Sequence, residues 1–172
     1  MGVGKSTVGS AMVGVLRTHC TQTINFIDLD GWIEEHTGMS VVEIFSRYGE
    51  SVFRQYEEKY CREIIAQAQD SPDCLVFALG GGTLHIPNLA QYIAQNTQLF
   101  VLSASLNNIS KRIEHTDRPL RQNIEELWTQ RQAGYAQFGT MIATNGCTVV
   151  EVVEKIVAHL QIDVVQREGH SL

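Results

Sequence analysis

At 172 residues the chain has the length of one domain, and 44% apolar with 19% charged residues is the balance of an ordinary water-soluble globular protein. Its net charge of −6, from 13 basic and 19 acidic residues, argues against nucleic acid or an anionic membrane as the main partner, but not against one small anionic ligand held by local basic residues. No stretch has the length and apolarity of a membrane span, nothing at the N-terminus reads as a signal peptide, and Cys20, Cys61, Cys74 and Cys147 lack C-x-x-C spacing, which reads as reduced thiols of a cytoplasmic protein.

Gly2-Val3-Gly4-Lys5-Ser6-Thr7 is the second half of a phosphate-binding loop. The full pattern is G-x-x-x-x-G-K-[ST]: backbone N–H groups cradle phosphates, the lysine reaches the outer phosphates, and the hydroxyl ligates Mg2+. With Gly4 as its last glycine, the first falls ahead of Met1, and the strand that feeds such a loop is missing as well. The natural protein is therefore expected to start upstream, with Met1 an internal methionine of the loop. Because the missing strand would be central, its absence is expected to expose the edges of two neighbouring strands.

Val8, Ala11, Met12, Val15 and Leu16 recur with helical period, so Ser6 to Leu16 reads as the helix after the loop. Arg17 to Thr23 reads as a connection, and Asn25 to Asp28 as a strand ending in acid. Gly31 to His36 and Val41 to Tyr48 read as short helices separated at Gly38, the second with a capping box of Ser40 and Glu43. A longer helix is expected from about Glu50 to Ala68. Cys74 to Leu79 is an apolar run expected of a strand buried on both faces. Pro87 fits the first turn of a helix reaching Asn96. Leu99 to Leu102 reads as a strand, Ser105 to Glu114 as a helix, His115 to Asn123 as a polar loop, and Ile124 to Phe138 as a helix. Met141 to Thr144 reads as a strand and Val149 to Leu160 as the last helix. Strands alternating with helices predict an α/β fold with a parallel sheet flanked by helices, of P-loop type, with four strands in this sequence.

Further features accompany the phosphate loop. Asp28 and Asp30, two apart in an extended segment, would point to one side at the carboxyl end of a strand. One carboxylate can hold Mg2+ through water and the other can accept a proton from a substrate hydroxyl; an acidic helix cap is the plainer alternative. Arg54 can pair with Glu58 along its helix, or place its fork on a substrate carboxylate. Gly80-Gly81-Gly82 directly after a strand would let backbone N–H groups approach a ligand. Arg118, in the longest polar loop, can close over a nucleotide as a lid arginine; Arg131, taken alone, would be a surface arginine.

In this order, Phe26-Ile27-Asp28-Leu29-Asp30, Ile33-Glu34-Glu35, Thr37-Gly38-Met39-Ser40-Val41, Glu43-Ile44-Phe45, Gly49-Glu50, Phe53-Arg54, Gly80-Gly81-Gly82, Arg118-Pro119-Leu120 and Arg131 with Tyr135 resemble the shikimate kinases, of the P-loop nucleoside monophosphate kinase-like group. The resemblance covers the chain to about Leu160. It implies five strands in the family and transfer of the ATP γ-phosphate to the 3-hydroxyl of shikimate, in aromatic amino acid biosynthesis. It also implies a single kinase domain over residues 1–172, with a lid near 115–123 and a substrate-binding helical segment near 31–68.

Carried over by position, Gly2, Val3, Gly4, Lys5, Ser6 and Thr7 would hold the ATP phosphates. Ser6 would ligate Mg2+ directly and Asp28 through water. Asp30 would bind the shikimate hydroxyls and act on the proton of the attacking one. Arg54 and Arg131 would clamp the carboxylate, with Gly80, Gly81 and Gly82 beside it. Arg118 would lie on the ATP phosphates and Arg112 beside the adenine. A cytoplasmic monomer with ATP and shikimate as its partners, and neither nucleic acid nor membrane, is implied. Gln132-Ala133-Gly134 departs from the proline and leucine usual in the family, which would loosen the helix near Arg131, and the 17–23 connection is longer than usual. Two rivals are a related small-molecule kinase such as gluconate kinase, and a degenerate or truncated kinase-like protein without catalysis.

Overall fold

Caps and glycines cut the first half of the chain into its elements. The computed structural model describes residues 3–106, 108 and 135–160. Helix α1 (Lys5–His19) starts at Gly4, whose φ of 88° lies in the left-handed region where a side chain is strained. It runs past Leu16 to His19, so most of the expected long connection is helix and residues 20–23 alone lead to the first strand. The last turn is closed by Thr18 Oγ1, which donates to Val15 O at 2.7 Å.

Strand β1 (Ile24–Asp28) passes directly into α2 (Leu29–Thr37), which ends at Gly38 with φ 66°. Helix α3 (Val41–Gln69) opens on the capping box of Ser40 and Glu43 and is broken at Gly49, with φ 80° and ψ 173°. The break falls between the two helical segments expected from the sequence. Strand β2 (Cys74–Ala78), a single 3-10 turn at Thr83–His85, and α4 (Leu89–Asn96) follow. Pro87 precedes the α4 cap Asn88 rather than filling the first turn, and the 3-10 turn was not anticipated. Strands β3 (Phe100–Ser103) and β4 (Thr140–Ala143) and helix α5 (Val149–Val157) complete the described elements. The expected helices at 105–114 and 124–138 and the loop at 115–123 lie outside the described residues, save Ser105, Leu106, Asn108 and Tyr135 to Phe138, as do Gly2, Arg112, Arg118 and Arg131.

The four strands are parallel, as expected, but form two pairs: β1 with β2, in register from Ile24 opposite Cys74 to Asp28 opposite Ala78, and β3 with β4. Alternate residues face two apolar layers. Ile24, Phe26, Cys74, Val76, Phe100 and Leu102 join a cluster with α1 and α5. Ile27, Leu75, Phe77 and Leu99 join a cluster with α2, α3 and α4. This is a three-layer α/β arrangement with helices on both faces. β2 was expected to be buried on both sides, yet its first four residues are half-buried, because a cavity runs along the edge that faces away from β1. Among the described residues no helix is long and apolar enough to cross a membrane, and all four cysteines are free thiols.

Candidate active site

The register of β1 and β2 sets Asp28 beside Ala78, so the turns that follow these two residues lie side by side at the carboxyl ends of the strands. From one turn comes α2 with Asp30; from the other comes the glycine run. The start of α1 reaches the same end, since Ser6 Oγ donates to Asp28 Oδ2. Asp28 also caps α2, its Oδ1 accepting from Asp30 N at 3.1 Å and Gly31 N at 3.4 Å. The two carboxylates are therefore not in one extended segment as expected. Asp28 ends the strand and Asp30 sits in the first turn of the helix, because the cap geometry turns the chain at Asp28. The capping role and a role beside the phosphate loop coexist on different oxygens of one carboxylate.

The start of α1 suits an anion more than it suits the helix. Its first turn contains no acidic residue and begins with Lys5, a charge that opposes the positive end of the helix dipole. Backbone N–H groups at a helix start behind a glycine cap, with a lysine and a hydroxyl alongside, make the chemistry of a phosphate cradle. Val3, Gly4, Lys5, Ser6 and Thr7 are all placed at this turn.

Opposite it, α3 delivers Arg54. The guanidinium does not pair with Glu58, as helical spacing suggested. Its Nε and Nη2 donate to Glu50 Oε1 at 3.1 and 2.6 Å, and its Nη1 donates to Glu57 Oε2, while Glu58 takes Arg62. Glu57 is 0% exposed, and its other oxygen accepts from Thr83 Oγ1 at 2.7 Å. Burial pushes the Glu57 carboxyl above its ordinary range; the Arg54 charge and the two donors pull it back, and Asp30 adds to the rise. Burial works against the Arg54 charge, but Glu57 and Glu50 outweigh it and hold the guanidinium charged.

The glycine run is what lets these groups converge. A Cβ on Gly80 would overlap Glu57 Oε1 and lie 2.9 Å from Thr83 Oγ1 and 3.3 Å from Asp30 Oδ1. A Cβ on Gly82 would lie within 2.6 Å of three guanidinium atoms of Arg54. Tyr135 donates from its hydroxyl to the carbonyl of Gly81, joining the chain after residue 134 to the same place. Asp30, Arg54 and the three glycines, predicted separately, thus occupy one site. Glu57 and Thr83 were missed. The available signal was that Glu57 falls on the apolar stripe of Phe53, Tyr60, Cys61 and Ile64, where a carboxylate needs a partner.

The family model for shikimate kinase matches residues 1–161. The chain belongs to the shikimate kinase family. Shikimate kinases of Thermus thermophilus and Thermodesulfovibrio yellowstonii are 36% and 35% identical to it, covering 93% and 91% of this chain and 85% and 88% of their own. The solved structure of shikimate kinase from Acinetobacter baumannii in complex with shikimate is 27% identical, with a TM-score of 0.78 over 91% of this chain and 86% of that one. Shikimate kinases are ATP-using enzymes.

Proposed function

We propose that this chain transfers the γ-phosphate of ATP to the 3-hydroxyl of shikimate, giving shikimate 3-phosphate for chorismate and aromatic amino acid biosynthesis. What carries this reading is the meeting of Asp30, Arg54 and Gly80–Gly82, at the strand ends where Ser6 brings the phosphate loop to Asp28. One group of residues carries positive charge and backbone donors for phosphates; the other offers a carboxylate base and a guanidinium for an acidic, polyhydroxylated substrate.

Gly2, Val3, Gly4, Lys5, Ser6 and Thr7 hold the ATP phosphates, with Arg118 closing on them and Arg112 beside the adenine. Arg54 and Arg131 take the shikimate carboxylate in a forked contact, and Glu57 holds Arg54 in position. Asp30 accepts the proton of the 3-hydroxyl as its oxygen forms the bond to the γ-phosphorus, and ADP leaves with the electron pair of the broken P–O bond. The Ser6 hydroxyl and an Asp28 carboxylate oxygen touch, and such a hard-oxygen pair supports the reading that they would hold Mg2+ together with nucleotide phosphates. When bound there, the ion neutralises phosphate charge.

The domain is read as a single kinase unit of residues 1–172, with α2 and α3 as its substrate side (31–68) and a lid near 115–123. A monomer working in the cytoplasm fits the free thiols and the scattering of exposed large apolar residues between Val42 and Tyr48 on α3 and Met141, Val149 and Val150 on β4 and α5. The testing experiment is coupled ADP release with ATP and Mg2+, offered shikimate or gluconate. Release that depends on shikimate is expected; release on gluconate alone would overturn the reading.

A further inference from the structure

The three carbonyls of the glycine run are held in two different ways. Those of Gly80 and Gly82 accept within their own turn, from Thr83 N at 3.4 Å and His85 N at 2.9 Å. The Gly81 carbonyl accepts instead from the hydroxyl of Tyr135, 54 residues further along the chain. Tyr135 is half-buried, and its ring lies against that of His85 with centroids 5.2 Å apart and planes tilted by 42°. The ring contact packs the side chain; the hydroxyl contact adds an orientation to the backbone that it meets.

Glycine has more backbone freedom than any other residue, so a run of three keeps one shape only where something fixes it. A peptide unit is planar, and its C=O and N–H point in opposite directions. Fixing the Gly81 carbonyl therefore fixes the whole Gly81–Gly82 peptide and the position of Gly82 at its end. That backbone is what Arg54 lies on: a Cβ on Gly82 would fall within 2.6 Å of Cζ, Nη1 and Nη2 of the guanidinium. Glu50 and Glu57 hold the same guanidinium from α3. The tyrosine hydroxyl thus acts on Arg54 through one peptide unit.

We propose that Tyr135 is a positioning residue for the substrate carboxylate: its hydroxyl fixes the Gly81–Gly82 peptide as the backing of Arg54, so that the guanidinium keeps the orientation in which it takes the carboxylate. This role rests on the reading of shikimate as the substrate. Asp30 is placed by other contacts, through the Asp28 cap of α2, and the start of α1 is tied to Asp28 by Ser6. Loss of the Tyr135 hydroxyl should therefore be felt in shikimate binding, and not in ATP binding or in the transfer itself.

The test is Tyr135→Phe, which keeps the ring beside His85 and removes the hydroxyl alone. Coupled ADP release is read at varied shikimate and at varied ATP, with thermal melts alongside. The shikimate KM should rise about threefold to tenfold, as the loss of one hydrogen bond implies, while kcat and the ATP KM stay within about twofold of the parent. In a Gly82→Ala background the same substitution should change the shikimate KM by less than about twofold, because both changes act on one contact. A lower kcat at unchanged shikimate KM, or equal rises in the two KM values, would mark Tyr135 as purely structural and overturn the proposal. So would the full Tyr135→Phe effect in the Gly82→Ala background, or a Tyr135→Phe protein that no longer melts cooperatively. A parent protein whose ADP release does not depend on shikimate would bring down the substrate reading itself, and this role with it.

Discussion

Glu57 and Arg54 stand one turn apart on α3, and the guanidinium donates to a carboxylate that has no exposed surface. Thr83 donates to the second oxygen of the same carboxylate, so each oxygen of Glu57 has a donor and Arg54 is pinned at the edge of the glycine run. Glu57 acts through Arg54 rather than on substrate. Glu57→Ala should destabilise the fold by about 2–4 kcal/mol, because it leaves the buried Thr83 hydroxyl without its acceptor and the Arg54 cation with Glu50 alone. Glu57→Gln should lose less stability and raise the shikimate KM more than it lowers kcat. Thermal melts and steady-state kinetics on the two variants check this; an unchanged KM in both would remove the positioning role.

Gly80 and Gly82 are required for space, not for backbone conformation, since neither has a positive φ. Gly80→Ala forces Glu57 or Thr83 to move and Gly82→Ala forces Arg54 away, so each should raise the shikimate KM by at least about tenfold, the loss of roughly one good charged contact. Gly14→Ala is the contrast. It lies exposed within α1, where a Cβ would meet nothing, and should stabilise the protein by about 0.5–1 kcal/mol with kinetics unchanged.

Ser6→Ala removes the hydroxyl that meets Asp28 but leaves Asp28 capping α2. The variant should keep its fold and need at least about tenfold more Mg2+ for half-maximal activity, as a lost direct ligand implies. Titrating Mg2+ in the ADP-release assay reads this out, and the same half-saturating concentration as the parent would exclude Ser6 as a ligand.

Two helix starts respond to acid. The backbone N–H of Ser40 bonds to Glu43, and that of Thr148 to Glu151; these bonds, followed by those from the two hydroxyls, hold both carboxyls below the ordinary 4.5. A lowered folded-state value means that their contribution is present above pH 4.5 and is lost as pH falls through the lower folded values. Thr148→Ala removes the hydroxyl but keeps the backbone N–H, so Glu151 should rise only part of the way toward 4.5 in an NMR titration while Glu43 stays low.

Several residues of the candidate site could be named from the sequence because they announce themselves locally. Gly4, Gly38 and Gly49 mark helix limits by the positive φ they adopt, Ser40 with Glu43 forms a cap within four residues, and the strands appear as apolar runs. Arg54, Asp30 and Gly80–Gly82 could be named, but not their mutual contacts. Whether Arg54 turns to Glu58 or Glu57 depends on Thr83 and Gly80, which arrive from another strand. The geometry at Asp28 was misread for a related reason: an acid after a strand reads as one more extended residue until the helix it caps is seen. The half-burial of β2 was not anticipated from its apolar run.

The most direct test of the account is shikimate-dependent ADP release by this chain and by its Asp30→Asn variant, with circular dichroism on both. Shikimate should stimulate release by the parent, and Asp30→Asn should abolish that stimulation with the spectrum unchanged. Full shikimate-dependent activity in Asp30→Asn would contradict the assigned base and with it the proposed site.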